Sequence, residues 1–396
     1  MFKAWNIINN LLSSYTYGHV LWETKLLVEE LQHRGMEARL FGHRSIKPED
    51  YPGARIVPAI DLHYAQKVSE DPEWEFLENL VVHNLAYEKA LEKVARDVFE
   101  NSLTVIPDIS ERQLLGTVRW FDRFAPLPRP RLAVIFRGQV DWTDANPSLE
   151  MLRKIWATCP DSAKRHIRFC VRSEMSAQKY EQLLGIKPHI LPSALAPTAR
   201  EIWGTKERIG PQSGSLIVSF LAGSRLERGA GIIPDVVKAC APLGVRFLIQ
   251  LTDAIDARPE TLAALKSLRD RPEVQFHEGT LSRQEYNDWI AQSVVLLPYG
   301  AENYVVRSSG VYLEARTFGA PVIVPPGTWM AEEVSRLGNG LVFERYSPAS
   351  IAQSIARAQK ELPALRERAA AAAGDYRREH GADRCVDALE ALFDGR

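Results

Sequence analysis

The stretch from Val294 to Pro326 constrains the fold more than any other: VVLLPYGAENYVVRSSGVYLEARTFGAPVIVPP. Its first apolar run, Val294 to Leu297, is cut off by Pro298, the length and punctuation of a strand buried on both faces. A polar loop follows, carrying Tyr299, Arg307, Ser308, Ser309 and Gly310. Val311 to Phe318 has helical spacing, Gly319 stops it, and Pro321 to Val324 opens another buried strand. A loop running into a helix N-terminus offers free backbone N–H groups and the positive end of the helix dipole, which together attract anions. The two serines and the glycine let a phosphate approach closely. Glu314 lies one turn further in, where a carboxylate can accept hydrogen bonds from ribose hydroxyls. An ordinary βαβ element with a surface Glu is the plain alternative.

A second segment has the same logic. Leu216 to Leu221 reads as a buried strand and runs into Ala222-Gly223-Ser224-Arg225-Leu226-Glu227-Arg228-Gly229. A glycine-rich turn between a strand and a helix is a phosphate-cradle context. Arg225 and Arg228 can both reach a diphosphate with charge-assisted hydrogen bonds. The segment has no Gly-x-Gly-x-x-Gly, so it is not a nicotinamide fingerprint.

These two segments resemble the donor half of the retaining, two-Rossmann-domain GT-B glycosyltransferases, family four (group 1). There a carboxylate on this helix, followed by a Gly-x-Pro-Val turn, holds a nucleotide sugar; here the residues are Leu313-Glu314-Ala315 and Gly319-Ala320-Pro321-Val322. The family's donor loop ends in Arg-x-Glu-Lys-Gly, matched by Arg225 with Arg228 in place of the Lys. A second Glu stands eight residues before the first in that family, and here the position is Val306, which weakens the implied sugar contact more than the nucleotide contact. The resemblance implies a base pocket near His277-Glu278-Gly279-Thr280, with Glu278 among the donor contacts. It also implies a last helix that crosses back onto the first domain.

The length of 396 residues exceeds one ordinary core, so two domains are expected. The expected boundaries are 1–195 for an acceptor domain, 196–214 for a linker rich in Pro, Gly and polar residues, 215–378 for the donor domain and 379–396 for the returning helix. The composition, 45% hydrophobic and 25% charged, is that of a globular protein. A net charge of −1 argues against nucleic acid as a main partner. Cys159, Cys170, Cys240 and Cys385 are scattered without CxxC spacing, so they read as buried small apolar residues. No apolar run is long enough to span a bilayer and no signal peptide is evident, so a cytoplasmic protein is expected.

In chain order, Trp5 to Asn9 reads as the first strand, His19 to Arg34 as an amphipathic helix and Glu37 to Phe41 as the next strand. Gly18 and His19 open that helix, and the resemblance places them on the acceptor side. Between Ile46 and Leu80 two further βα units are expected. Asn84 to Phe99 is helical, and Leu103 to Ile106 is a strand ending at Pro107-Asp108. Glu111 to Phe124 combines Trp120 and Phe121 with Arg112, Arg119 and Arg123. A basic helix with exposed aromatics lies on anionic membranes at the inner face; the favoured reading is a packed helix whose aromatics are core. Leu132 to Phe136 ends in Arg137, a third acceptor-side candidate. Ile351 to Gln359 and Leu362 to His380 read as two long helices.

The resulting expectation is an α/β protein of two doubly wound Rossmann-like domains that transfers a sugar from a nucleotide-diphosphate sugar to a glycan or lipid-linked saccharide. The chain contains no Asp-x-Asp pair of the kind that clamps a diphosphate through a divalent cation, so no metal and no other cofactor is expected. Arg225 and Arg228 would neutralise the leaving diphosphate and Glu314 would hold the ribose. Two rivals stand beside it. A nucleotide-sugar 2-epimerase on the same scaffold would need extra acid–base groups, for which Asp108, Asp141 and Glu278 are the candidates. A nucleotide-sugar binding protein without turnover would fit Val306.

Overall fold

The computed structural model describes residues 2–13, 19–63, 66, 68, 71, 74–94, 101–124, 130–136, 146–194, 202, 204–205, 215–221, 223, 225–252 and 258–394. The chain divides into two units, Met1–Leu195 with Ala382–Arg396, and Ala196–Gly381.

The first unit is built on a seven-stranded parallel sheet: β1 (Ala4–Ile8), β2 (Glu37–His43), β3 (Arg55–Ile60), β4 (Ser102–Ile109), β5 (Arg131–Phe136), β6 (Ile167–Val171) and β7 (His189–Ile190), in the order β3-β2-β1-β4-β5-β6-β7. Every residue of β1 is buried, as a strand covered by helices on both faces must be. One face packs α2 (Glu75–Val94), α3 (Glu111–Asp122), α4 (Pro147–Thr158) and α6 (Glu174–Leu184) over Val134, Phe136 and Phe169, with the short α5 (Asp161–His166) at its edge. The other face packs α1 (His19–His33) together with the last helix of the chain. Trp120 and Phe121 are buried, so α3 presents no aromatic surface to a membrane. A capping box of Ser110 and Gln113 opens α3.

The second unit carries β8 (Ile217–Phe220), β9 (Arg246–Leu251), β10 (Val274–Glu278), β11 (Val294–Leu296), β12 (Val322–Val324) and β13 (Gly340–Val342), all parallel, in the order β10-β9-β8-β11-β12-β13. Its helices are α7 (Ile233–Ala239), α8 (Pro259–Lys266), α9 (Arg283–Gln292), α10 (Gly310–Phe318), α11 (Trp329–Leu337) and α12 (Pro348–Glu379). A capping box of Ser282 and Glu285 opens α9. The chain then crosses at Gly381, and α13 (Ala382–Ala391) joins the first unit. There Cys385, Val386 and Leu389 enter the core and Arg34 pairs with Asp387 at 2.6 Å.

Four local expectations are corrected. Among the described residues between Ile46 and Leu80 there is one strand, β3, with a short 3-10 turn at Pro48–Asp50 and the first turns of α2, not two βα units. The helix placed at Asn84 starts earlier, at Glu75, because its outer face is apolar and blurs the amphipathic signal. Pro147–Thr158 is a helix that was not anticipated, although Asn146 caps it and Pro147 occupies its first turn. The two late helices are one of 32 residues that continues through Pro363. Proline removes one backbone hydrogen bond there, while Ile351, Ile355, Leu365 and Ala369 keep the helix packed on either side. All four cysteines are buried and free.

Candidate functional site

In the second unit the strand order reverses direction between β8 and β11. In doubly wound sheets the loops leaving such neighbours diverge, and ligands bind in the crevice at the C-terminal ends of the strands. Both segments singled out in the sequence, after β8 and after β11, leave the sheet at this point. The backbone knits them together, since the Gly300 N–H donates to the Glu227 carbonyl at 2.9 Å. Gly229 sits at φ +80°, and a Cβ there would stand 2.0 Å from the Pro298 carbonyl oxygen. Only glycine allows the two loops to come this close.

Two guanidinium groups pair with one carboxylate, and a third, that of Arg228, lies near it. Arg307 Nη1 lies 3.2 Å from both oxygens of Glu227, and Arg225 Nη1 lies 3.8 Å from Glu227 Oε1. The Arg307 guanidinium also stacks over the Tyr304 ring at 5.2 Å. Arg228 is folded inward, hydrogen-bonded to Tyr304 and flanked by Tyr299, and its buried Nε–H has no acceptor. Tyr299 is 1% exposed, so it stands behind the cradle as a support for Arg228 and not at its surface. Burial pushes its hydroxyl pKa up to about 12 despite the neighbouring Arg228 charge. Gly223 holds φ +72° at the start of the loop.

Helix α10 points its N-terminus at the same loops. Ser309 caps it, accepting from the Tyr312 N–H at 3.2 Å, while Ser308 is exposed and Gly310 begins the helix. Its first turn contains no acidic residue, so the positive end of the dipole is uncompensated.

Glu314 is 8% exposed and already engaged. Its Oε1 accepts from Arg283 Nη1 at 2.8 Å and its Oε2 from the Tyr286 hydroxyl at 2.7 Å, both from α9. Each oxygen keeps a further lone pair. Burial first, then the adjacent Glu314 charge, holds the Tyr286 hydroxyl well above its ordinary pKa, so it remains a donor. Val306 is 2% exposed and packs inside the loop. Glu278 does not join the cluster. It is exposed at the end of β10 and paired with Arg269 at 2.6 Å and Lys266 at 3.4 Å, because the sheet order places β10 at the edge, two strands from β8.

Sequence reasoning missed Glu227, Arg283, Tyr286 and Tyr304. Glu227 lay in the quoted loop without a role. The other three carry no local signal, since Arg283 and Tyr286 meet Glu314 only when α9 packs on α10. Ser224, Gly18, Arg137 and Asp141 lie outside the described residues, as does the side chain of His19. Asp108 adopts φ +57° where the register of β4 against β5 shifts. It lines a small pocket in the first unit with Asn9, Glu23 and Arg172. Glu23 and Arg172 form a partly buried ion pair there, and Arg172 also donates to the Pro192 carbonyl at 2.8 Å. Among the described residues, no cluster of His, Cys, Asp and Glu is arranged to hold a metal ion, and no helix is long and apolar enough to cross a membrane.

No family model matches the chain, and no curated protein matches its sequence. Solved structures do match over nearly the whole length. Sucrose-phosphate synthase from Thermosynechococcus elongatus superposes with a TM-score of 0.67 at 12% identity, covering 99% of this chain and 98% of that one. A glycosyltransferase from Rickettsia africae gives 0.65 at 10% identity over 100% of both chains. HepE from Anabaena, solved in complex with UDP-glucose, gives 0.63 at 15% identity over 98% of this chain and 99% of that one. The chain therefore has the fold of the two-Rossmann GT-B glycosyltransferases.

Proposed function

We propose that the protein is a glycosyltransferase that binds a nucleotide-diphosphate sugar at the β8/β11 switch point and passes the sugar to a glycan or lipid-linked saccharide. The observation that carries this reading is the convergence of Arg225, Arg228 and Arg307 with the uncompensated N-terminus of α10, one turn from the buried Glu314. Three cations against Glu227 leave a net charge of +2, which complements a diphosphate. A bound phosphate oxygen would also satisfy the Arg228 Nε–H, a donor whose isolation costs about 1–3 kcal/mol.

In the transfer, the bond between the sugar and the diphosphate breaks and negative charge grows on the departing phosphate. Preorganised arginines and helix amides stabilise that charge more in the transition state than in the bound donor, which accelerates departure. The three arginines supply the positive charge that a divalent cation would otherwise bring, so the reaction is proposed to be metal-independent. Full activity after EDTA treatment is the expected result, and activity lost in EDTA but restored by Mg²⁺ or Mn²⁺ would overturn it. Glu314, held rigid by Arg283 and Tyr286, is proposed to accept from the ribose hydroxyls through its remaining lone pairs. Retention at the anomeric carbon is proposed by likeness to the family alone.

The complex of Anabaena HepE with UDP-glucose makes UDP-sugars the first donors to try. A thermal-shift screen against UDP, GDP, ADP, CMP and their sugar conjugates reads binding as a raised unfolding midpoint. A shift with one nucleotide diphosphate supports the reading, and no shift with any of them defeats it. The buried Val306, at the position of the family's other Glu, favours one second reading, a binder without turnover. Donor binding with neither hydrolysis nor transfer would select it.

A further inference from the structure

Eight large apolar side chains are strongly exposed among the described residues, and six of them belong to one patch. Leu77, Val81, Val82 and Leu85 run along the outer face of α2, with Trp74 just before its first residue and Val68 beside them through the hydrogen bond of its N–H to Asn79. They are between 37% and 55% exposed. From those fractions the patch presents about 500 Å² of apolar surface, the size at which a monomer's largest patch is often functional.

The patch has polar ends of opposite sign. Asp71, Glu75 and Glu78 flank Trp74 and Leu77; Lys89, Lys93, Arg119 and Arg123 lie toward the other end. Glu78 and Lys89 are both exposed, and neither has an ion pair among the described residues. The outward ridge Glu78, Val82, Leu85, Lys89 reads the same in both directions once charge is inverted. Its midpoint lies between His83 and Asn84. Laid antiparallel on a copy of itself, the helix sets Glu78 against Lys89, Val82 against Leu85 and Trp74 against Lys93. Glu92, which would meet Glu75, is already paired with Arg123.

We infer that this face of α2 is a self-association surface that pairs two copies of the chain across a two-fold axis. An isologous contact needs a patch complementary to itself under a half-turn, and this ridge is. Two such patches bury on the order of 1,000 Å², enough for a weak, specific dimer and too little for an obligate one. The antiparallel arrangement also opposes the two helix dipoles. An anionic membrane would meet Asp71, Glu75 and Glu78 beside the only tryptophan of the patch, so charge favours the second copy over a bilayer.

Sedimentation velocity across micromolar to high micromolar protein tests this. The native chain is expected to shift from monomer to dimer with concentration. Val82→Glu, on the exposed ridge and harmless to the core, is expected to remain monomeric with an unchanged circular dichroism spectrum. Glu78→Lys and Lys89→Glu are each expected to weaken dimerisation about tenfold, since each converts two attractions into two repulsions. The double variant E78K/K89E is expected to restore it. A native chain that stays monomeric at every concentration overturns the proposal. So does a double variant no better than either single one, or vesicle flotation abolished by Val82→Glu without any self-association.

Discussion

Replacing Arg228 by alanine separates recognition of phosphate from recognition of the nucleoside. The cradle holds Arg225, Arg228 and Arg307 against Glu227, so the substitution takes its net charge from +2 to +1. A unit charge about 4 Å from a phosphate oxygen contributes about 4 kcal/mol at the effective dielectric of a protein surface. Desolvation on binding offsets part of this, leaving about 2–3 kcal/mol, the range of a hydrogen bond to a charged group. That is a loss of about 30- to 150-fold in affinity for UDP. Uridine has no phosphate and should weaken less than twofold. Arg228→Lys keeps the charge but loses the planar fork and its bond to Tyr304, and should fall between the two. Isothermal titration of UDP and uridine into each variant gives both numbers. The thermal midpoint without ligand shows whether the loop has survived the loss of packing against Tyr299. Equal weakening of UDP and uridine would refute the assignment of Arg228 to the diphosphate.

Three further outcomes follow from the same geometry. Gly229→Ala should destabilise the second unit by about 2–4 kcal/mol, because the new Cβ meets the Pro298 carbonyl and the left-handed backbone is strained; a midpoint within a degree of the native protein would contradict it. Glu314→Gln removes the counter-charge of the largely buried Arg283 and should lower both the midpoint and uridine affinity, the latter about tenfold if a ribose contact is lost. A lowered midpoint with unchanged uridine binding would make the carboxylate a strut and nothing more. In the first unit, burial holds His43, His63 and His83 below the ordinary imidazole pKa. The unfolded chain therefore binds more protons between that lowered value and about 6.5, so stability is full above that pH and falls as pH drops through the lowered pKa. Chemical denaturation at pH 7.5 and 5.5 should show a smaller drop for His63→Gln than for the native chain, and an identical drop would refute the contribution of His63.

Much of the fold was legible because its signals are local. Val294 to Leu297 and Leu132 to Phe136 are short apolar runs with polar or proline punctuation, and each became a parallel strand. Ser282, three residues before Glu285, has the spacing of a capping box, and a helix starts there. The reading failed where a local rule met a tertiary override. Ile351 to Gln359 and Leu362 to His380 read as two helices, yet buried apolar residues on both sides of Pro363 keep α12 continuous. The apolar outer face of α2 hid the start of that helix, since periodicity finds a helix only when one face differs from the other.

The candidate site divides along the same line. Arg225, Arg228, Ser309, Gly310 and Glu314 could be picked out because loop-to-helix junctions have a sequence signature and an electrostatic purpose that needs no partner. What each side chain does there could not. Tyr299 proved to be a buried brace, Glu278 a surface ion pair, and Glu314 a carboxylate already gripped by Arg283 and Tyr286. Sequence by itself determined that the chain forms parallel sheets whose strands run through loops into helix N-termini, because burial pattern and helix starts are properties of neighbouring residues. Tertiary structure alone decided which charges meet, because Coulomb energy depends on distance through space, and Glu227 and Arg307 are 80 residues apart along the chain yet 3.2 Å apart in the fold.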